Sequence, residues 1–227
     1  MKKLVVFTGA GVSAESGIQT FRDSDGLWEK HRIEDVATPE AWNKNKKLVL
    51  EFYNHRRKQV VHASPNAAHI AIAKLESSFS THVITQNIDD LHERAGSKNV
   101  LHLHGEIRKA RSSVDPSLIY NIDGEDILEG QTCELGSQLR PHIVWFGEFV
   151  SELDVAADIM AEADYLIVVG TSLAVYPAAG LIHHVSPSCK KYLIDPKAGH
   201  DVRGFTIIQK EAGIGMPELM ALLLEVK

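Results

Sequence analysis

Short runs rich in β-branched and apolar residues recur along this chain: Leu4–Thr8, His82–Thr85, Val100–Leu103, His142–Phe146, Tyr165–Val169, Tyr192–Asp195 and Phe205–Ile208. Several are continuously apolar rather than alternating, the pattern of strands covered on both faces. Helical patterns lie between them. Ser64 as N-cap with Pro65 at the first helical position opens a helix over Pro65–Ser77, and Ser151 with Asp154 reads as a capping box for a helix to about Ala163. A last helix is expected from Pro217 to about Val226, and Pro39 to about Val61 carries an imperfect apolar stripe. Strand and helix in alternation imply an α/β fold with a mainly parallel sheet.

Two stretches interrupt the alternation: Phe21–Thr38, polar and loop-like, and Glu106–Pro141, which lacks a long periodic element. In the second, Leu118, Ile119, Tyr120, Ile122, Ile127 and Leu128 are expected to form a small apolar cluster. Loops of this length in a compact domain are usually functional or form a subdomain. With 227 residues and no internal repeat or linker, one domain is expected over residues 1–227.

Charge and cysteine content exclude several function classes. Lys plus Arg is 24 against 30 for Asp plus Glu, a net charge of -6 that leaves no footprint for unselective nucleic-acid or lipid binding. The two cysteines, Cys133 and Cys189, cannot build a disulfide scaffold or an all-cysteine zinc site. Leu4–Phe7 is too short for a signal-peptide core, and no run approaches the roughly 20 apolar residues of a membrane span. A cytoplasmic monomer without membrane or direct nucleic-acid partners is the expectation.

Gly9-Ala10-Gly11-Val12-Ser13-Ala14 follows the first strand and fits G-x-G-x-x-A, a turn whose backbone N–H groups can approach a pyrophosphate at a helix start. Alone, the pattern also suits a tight turn with no ligand. A dehydrogenase needs a second strand ending in an acid about 20 residues on. Here Ile18–His31 is punctuated loop, so the hydride-transfer layout is missing.

The segment Gly9 to Ile18 with Thr20-Phe21-Arg22 resembles the opening of the sirtuins. The resemblance continues in order through Gln86-Asn87-Ile88-Asp89, His104-Gly105, Val144-Trp145-Phe146-Gly147-Glu148 and Gly170-Thr171-Ser172, covering nearly the whole chain. It implies a Rossmann-like sheet, a helical insert with the cofactor loop at about 21–61, and a small inserted subdomain at about 106–141. It also implies an NAD-dependent lysine deacylase acting on acyl-lysine proteins or peptides. In that reaction the acyl oxygen attacks the nicotinamide ribose, nicotinamide leaves, and the acyl group passes to ADP-ribose.

By the same resemblance His104 is the general base, with His102 as the competing imidazole, and Asn87 acts beside it in catalysis. Cofactor contacts are implied for Gly9, Ala10, Gly11, Ser13, Phe21, Arg22, Gln86, Asn87, Ile88 and Asp89, and for Gly170, Thr171, Ser172, Asp195 and Ala212. Asp89 can also cap the segment that follows it. Val144, Trp145, Phe146 and Gly147 form the edge on which a substrate peptide adds as a strand.

Tyr53 and Arg56, three apart on one helix face, can clamp a carboxylate. With Ala37 they fall where desuccinylating and demalonylating sirtuins have their acyl-pocket residues, so acidic acyl groups are the expected preference over acetyl. Read without the family, Arg56-Arg57-Lys58 is an ordinary solvated charge run. Most sirtuins hold a structural zinc with four cysteines after the catalytic His-Gly. This chain has only Cys133 there, with Ser112, Ser113, Gly136 and Ser137 in the neighbouring places, so a zinc-free subdomain is expected. The rival readings are a sirtuin-like ADP-ribosyltransferase, an NAD or ADP-ribose-binding regulator without turnover, and a dehydrogenase.

Overall fold

A computed structural model of the chain describes residues 1–19, 27–28, 31–198 and 204–225, so Phe21 and Arg22 lie outside the described residues. Strand β1 (Lys3–Thr8) leads through the glycine loop into the single-turn helix α1 (Gly11–Ala14). An antiparallel pair, β2 (Leu27–Trp28) and β3 (His31–Arg32), precedes α2 (Ile33–Val36), α3 (Pro39–Lys44) and the long α4 (Lys46–His62). Then come α5 (Ala67–Leu75), β4 (Ser80–Thr85), α6 (Leu91–Arg94) and β5 (Val100–His102). Strands β6 (Gly105–Ser112), β7 (Ile119–Asn121) and β8 (Leu139–Ile143) follow. The chain continues through α7 (Leu153–Ala161), β9 (Tyr165–Val169), a 3-10 helix over Ala178–His183, β10 (Lys190–Ile194), β11 (Phe205–Ile208) and α8 (Ala212–Glu225).

The main sheet has six strands in the order β11-β10-β9-β1-β4-β5, paired in parallel throughout. This is the Rossmann-like α/β arrangement, and the order reverses between β1 and β9, where such sheets bind ligands at their strand ends. Alternation along β1 sends Leu4 and Val6 into a core with α5 and α8, and Val5 and Phe7 into one with α7 and the 3-10 helix. A third core joins α3, α4 and the small subdomain through Trp42, Val49, Tyr53, Ile107 and Trp145.

Helix boundaries differ from the sequence expectation, and each difference has a long-range cause. The α5 helix starts at Ala67, not Pro65, because Asn66 accepts from Ala68 N at 2.9 Å while its own N–H meets the His69 ring at 3.3 Å. The Asn66 amide also donates to Val12 O at 2.8 Å, tying α5 to α1. The last helix starts five residues before Pro217, since the Glu15 carboxylate accepts from Gly213 N at 2.6 Å and caps the first turn from the far end of the chain. The Ser151–Asp154 capping box does not form; Ser151 donates to Glu152 instead. The Pro39–Val61 stretch is two helices, broken at Asn45, whose side chain accepts from Leu48 N and starts α4.

The region expected to lack a long element holds a three-stranded antiparallel sheet, β7-β6-β8, including the eight-residue β6. The expected apolar cluster does not form there: Ile119 is 46% and Leu128 57% exposed, and Ile127 is buried against α4 instead. Hydrogen bonds from α4 hold the subdomain. Asn54 donates to Ile127 O and accepts from Ile127 N, while Arg57 donates to Ile107 O at 2.7 Å and to Glu125 O at 3.2 Å.

Candidate active site

One cavity of about 410 Å³ opens along the C-terminal ends of the sheet strands, within the range of small-molecule sites. Every sequence-proposed site residue that the structure describes lines it. Its floor is two glycine loops packed together: Gly11 N donates to Gly170 O at 2.8 Å, and a Cβ on Gly11 would lie 2.8 Å from Gly170 Cα. Gly170 has φ +66, and a side chain there would strike the backbone N of Val12. The loops after β1 and β9 thus need glycine on both sides of their contact. Gln86 donates to Thr171 Oγ1 at 3.1 Å, linking the β4 end to the same floor.

The segment after β4 is a buried polar net. Asn87 Nδ2 donates to Ser13 Oγ at 3.1 Å, and Ser13 Oγ donates to Asp89 Oδ2 at 3.0 Å. Asp89 Oδ1 accepts from Leu91 N at 3.2 Å, so one carboxylate serves both the cavity and the start of α6. Burial raises the Asp89 pKa, opposed by its bonds from Leu91 and Ser13. Ile88 flanks this net on the cavity wall.

His104 Nδ1 is 3.0 Å from Gln86 O. A carbonyl only accepts, so Nδ1 carries the hydrogen and Nε2 is the basic nitrogen of the neutral ring. Burial lowers the His104 pKa, so the ring is neutral at physiological pH. His102 is not a rival for the cavity. Its Nδ1 donates to Asn87 O at 2.9 Å and its Nε2 to Glu93 at 2.7 Å.

The other end of the cavity floor is polar as well. Asp195, at the end of β10, is buried and accepts from Lys197 N at 2.7 Å; Ala212 opens α8 beside it on the wall. Ser172 adds a hydroxyl. Loop amides, hydroxyls, a carboxylate at a strand end and the Asn87–Asp89 amide and carboxylate form the donor and acceptor set a dinucleotide requires. The residues present therefore fit NAD.

Tyr53, Arg56 and Ala37 are all buried and line the same cavity. Arg56 is only 5% and Arg57 0% exposed, so the solvated charge run holds for Lys58 alone. Burial raises the Tyr53 phenol pKa against the pull of the Arg56 charge, keeping it a neutral donor. Trp145 packs on Trp42 and Tyr53 at centroid distances of 5.7 Å and 6.4 Å and is covered by the Arg140 guanidinium.

Val144–Phe146 lies past the end of β8 rather than in a strand, because Val144 N bonds His104 O and Phe146 N bonds Ala37 O, two different neighbours. Of the two aromatics, Trp145 is the core plug and Phe146 is 46% exposed at the cavity, next to Gly147. Glu148 fixes this segment, accepting from Trp145 N at 2.8 Å and from Arg140 at 2.7 and 3.0 Å.

In the subdomain, Cys133 Sγ lies 3.4 Å from Ser112 Oγ and 3.2 Å from Ser137 Oγ. No group of three or more His, Cys, Asp or Glu side chains suited to a metal ion occurs among the described residues. None of the described helices is long and apolar enough to cross a membrane. Sequence reasoning missed Thr8, Thr85, Asn66 and His92, which support the site from behind, and singled out His102 only as the competing imidazole. Their signal, polar residues at strand ends and helix starts, is not distinctive until the fold brings them together.

Fold and cavity define a dinucleotide-binding α/β protein with an imidazole at a strand end. The Sir2 family model matches residues 9–177, and the chain belongs to the Sir2 family. It is 51% identical over 227 residues to a Helicobacter pylori NAD-dependent protein deacylase, with 99% of each chain covered. A Bacteroides thetaiotaomicron NAD-dependent protein deacylase is 49% identical over 231 residues, again with 99% of each covered. Among solved structures, a mutant Sir2 homologue in complex with ADP-ribose matches with TM-score 0.91 at 41% identity, covering 100% of this chain and 94% of that one. A Sir2 homologue–NAD complex matches with TM-score 0.89 at 41% identity, covering 99% and 90%.

Proposed function

We propose that this chain is an NAD-dependent protein-lysine deacylase that prefers succinyl- and malonyl-lysine over acetyl-lysine. The observation that carries the reading is a single cavity lined both by the paired glycine loops with His104 and by Tyr53 and Arg56. Family membership and the names of the relatives above support the NAD-dependent deacylase class. The acidic-acyl preference rests on Tyr53 and Arg56.

When bound, NAD supplies an electrophilic ribose carbon and a leaving nicotinamide. Gly9, Ala10, Gly11, Ser13, Arg22, Gly170, Thr171, Ser172, Asp195 and Ala212 would hold it, with Gln86, Asn87, Ile88 and Asp89 orienting its reactive end and Phe21 shielding it from water. His104, neutral at Nε2, takes up a proton from a ribose hydroxyl as general base. Asn87, held by Ser13, acts beside it. The backbone of Val144–Gly147 pairs with the substrate peptide, and Arg56 with the Tyr53 hydroxyl receives the acyl carboxylate, which an acetyl group lacks.

The subdomain at about 106–141 is read as metal-free, with Ser112, Ser113, Gly136 and Ser137 beside Cys133 where the family's zinc cysteines are expected; one zinc per purified chain would contradict this. The function itself is tested with a panel of acyl-lysine peptides with and without NAD, following nicotinamide release and peptide mass. NAD-dependent loss of succinyl and malonyl groups is expected, faster than loss of acetyl. Protein-linked ADP-ribose with no peptide deacylation would favour the transferase instead.

A further inference from the structure

His102 and His104 take consecutive carbonyls. His104 Nδ1 meets Gln86 O at 3.0 Å and His102 Nδ1 meets Asn87 O at 2.9 Å, so two imidazoles from one strand end grip adjacent peptides of the segment carrying Asn87 and Asp89. They differ at the second nitrogen. That of His104 has no comparable acceptor among the described residues, and its ring lines the cavity. That of His102 is 2.7 Å from Glu93 Oε1 on α6. A carbonyl and a carboxylate both only accept, so both His102 nitrogens carry hydrogens and the ring is an imidazolium.

We propose that His102 is a positioning residue for the deacylation read above: its imidazolium, strung between the Asn87 carbonyl and Glu93, holds the Gln86–Asp89 segment in its working shape, so turnover requires His102 charged while His104 is neutral. The inference rests on that reading of the activity.

The surroundings of His102 favour the charge. Glu93 and neutral His92 face it from α6, the Asn87 carbonyl and Asp89 from the segment after β4, and Glu106 from β6. Glu106 is tied to Lys109 at 2.7 Å, and Asp90 is drawn away by Arg108 at 2.7 Å, which leaves Glu93 as the direct partner. Burial opposes the charge, but the Glu93 hydrogen bond and charge, the Asn87 carbonyl and Glu106 outweigh it and raise the His102 pKa above the ordinary 6.5. Loss of the proton would set a bare Nε2 against a carboxylate and release one end of the grip.

The test uses H102Q, which keeps an amide donor for Asn87 without a charge, and E93Q, whose site is 40% exposed and tolerant of change. Two readouts are taken: the pH profile of kcat at saturating NAD and acyl peptide, and the proton NMR titration of the His102 ring in wild type and E93Q, which needs no turnover. In wild type the His102 resonance should titrate above 6.5 and the alkaline limb of kcat should share its midpoint. In E93Q both should move down together, because the Glu93 charge and hydrogen bond that hold the proton are gone. H102Q should lose that limb and keep a plateau about tenfold lower.

Coincident alkaline limbs in wild type, E93Q and H102Q overturn the proposal, as does a wild-type His102 resonance titrating at or below 6.5. Should H102Q fail to fold, E93Q and the NMR titration decide. The two failures separate cleanly: no nicotinamide release from any acyl peptide sinks the reading of the activity, whereas turnover with unshifted limbs sinks the role of His102.

Discussion

The hydroxyl of Thr8 donates to that of Thr85 across 2.7 Å, and these two residues are the last register pair of β1 and β4. One buried hydrogen bond therefore joins the strand ends from which the glycine loop and the Gln86–Asp89 segment depart. Thr85 Oγ1 also accepts from Asn87 N at 3.0 Å, and Thr8 Oγ1 is 3.1 Å from His92 Nε2. Both threonines are fully buried.

Thr85→Val keeps the shape and removes the acceptor, leaving the Asn87 N–H unsatisfied and the Thr8 hydroxyl with His92 alone. The expected cost is about 1–3 kcal/mol in urea denaturation, with a lower kcat. Thr85→Ser should stay within about 1 kcal/mol of wild type because the acceptor remains. A valine variant as stable and as active as the serine variant would contradict this role.

Gly105→Ala attacks the residue that follows His104. Gly105 has φ +81, and a Cβ there would collide with the carbonyl of His142 on β8. The left-handed backbone alone costs an ordinary residue roughly 1–2 kcal/mol, and the collision adds to it by shifting His104. A large drop in thermal midpoint and at least about tenfold loss of kcat are expected. Gly130→Ala is the control: its φ is +90 but nothing lies within 4 Å of the new Cβ, so only the backbone strain should appear and activity should persist.

Acid should unfold the protein through its buried imidazoles. His69 and His92 are both fully buried with ring centroids 4.8 Å apart. Burial lowers the His69 pKa from 6.5 to about 4 and that of His92 well below 6.5, where the neighbouring His69 and His102 charges add to the effect. These groups are neutral when folded and ordinary when unfolded. Stability is therefore full above 6.5 and falls as pH drops towards 4, where the unfolded chain binds protons the folded chain refuses. His69 alone accounts for about 3 kcal/mol. Urea midpoints across this range, with proton uptake on unfolding, check it; a flat profile would contradict it.

How far the sequence could be read follows from where each signal resides. Tyr165–Val169 was legible to the residue, because a strand buried on both faces is continuously apolar, and the edge strand Phe205–Ile208 was legible from its β-branched and aromatic residues although it is only partly buried. Strand β6 was not, since Glu106, Arg108, Lys109 and Arg111 make it look like loop. Lys109 is balanced by Glu106 within the strand, but Arg108 is balanced by Asp90 and Arg111 by Glu148, acids from elsewhere in the chain. The α8 start was hidden for the same reason, its cap being Glu15. Cavity residues were legible as motifs at strand ends. His102 and His92 were not, because they act through the Asn87 carbonyl and the Thr8 hydroxyl, partners that only the folded chain supplies.

The acyl preference is tested most directly by the ratio of kcat/KM for a succinyl-lysine peptide to that for the matching acetyl-lysine peptide, measured for wild type and Arg56→Met. A charge-assisted hydrogen bond from Arg56 to the acyl carboxylate contributes about 1.5–3 kcal/mol, so the ratio should fall by roughly 10- to 100-fold while acetyl turnover stays within a few-fold of wild type. A wild-type ratio below one, or equal losses on both peptides, would contradict the account.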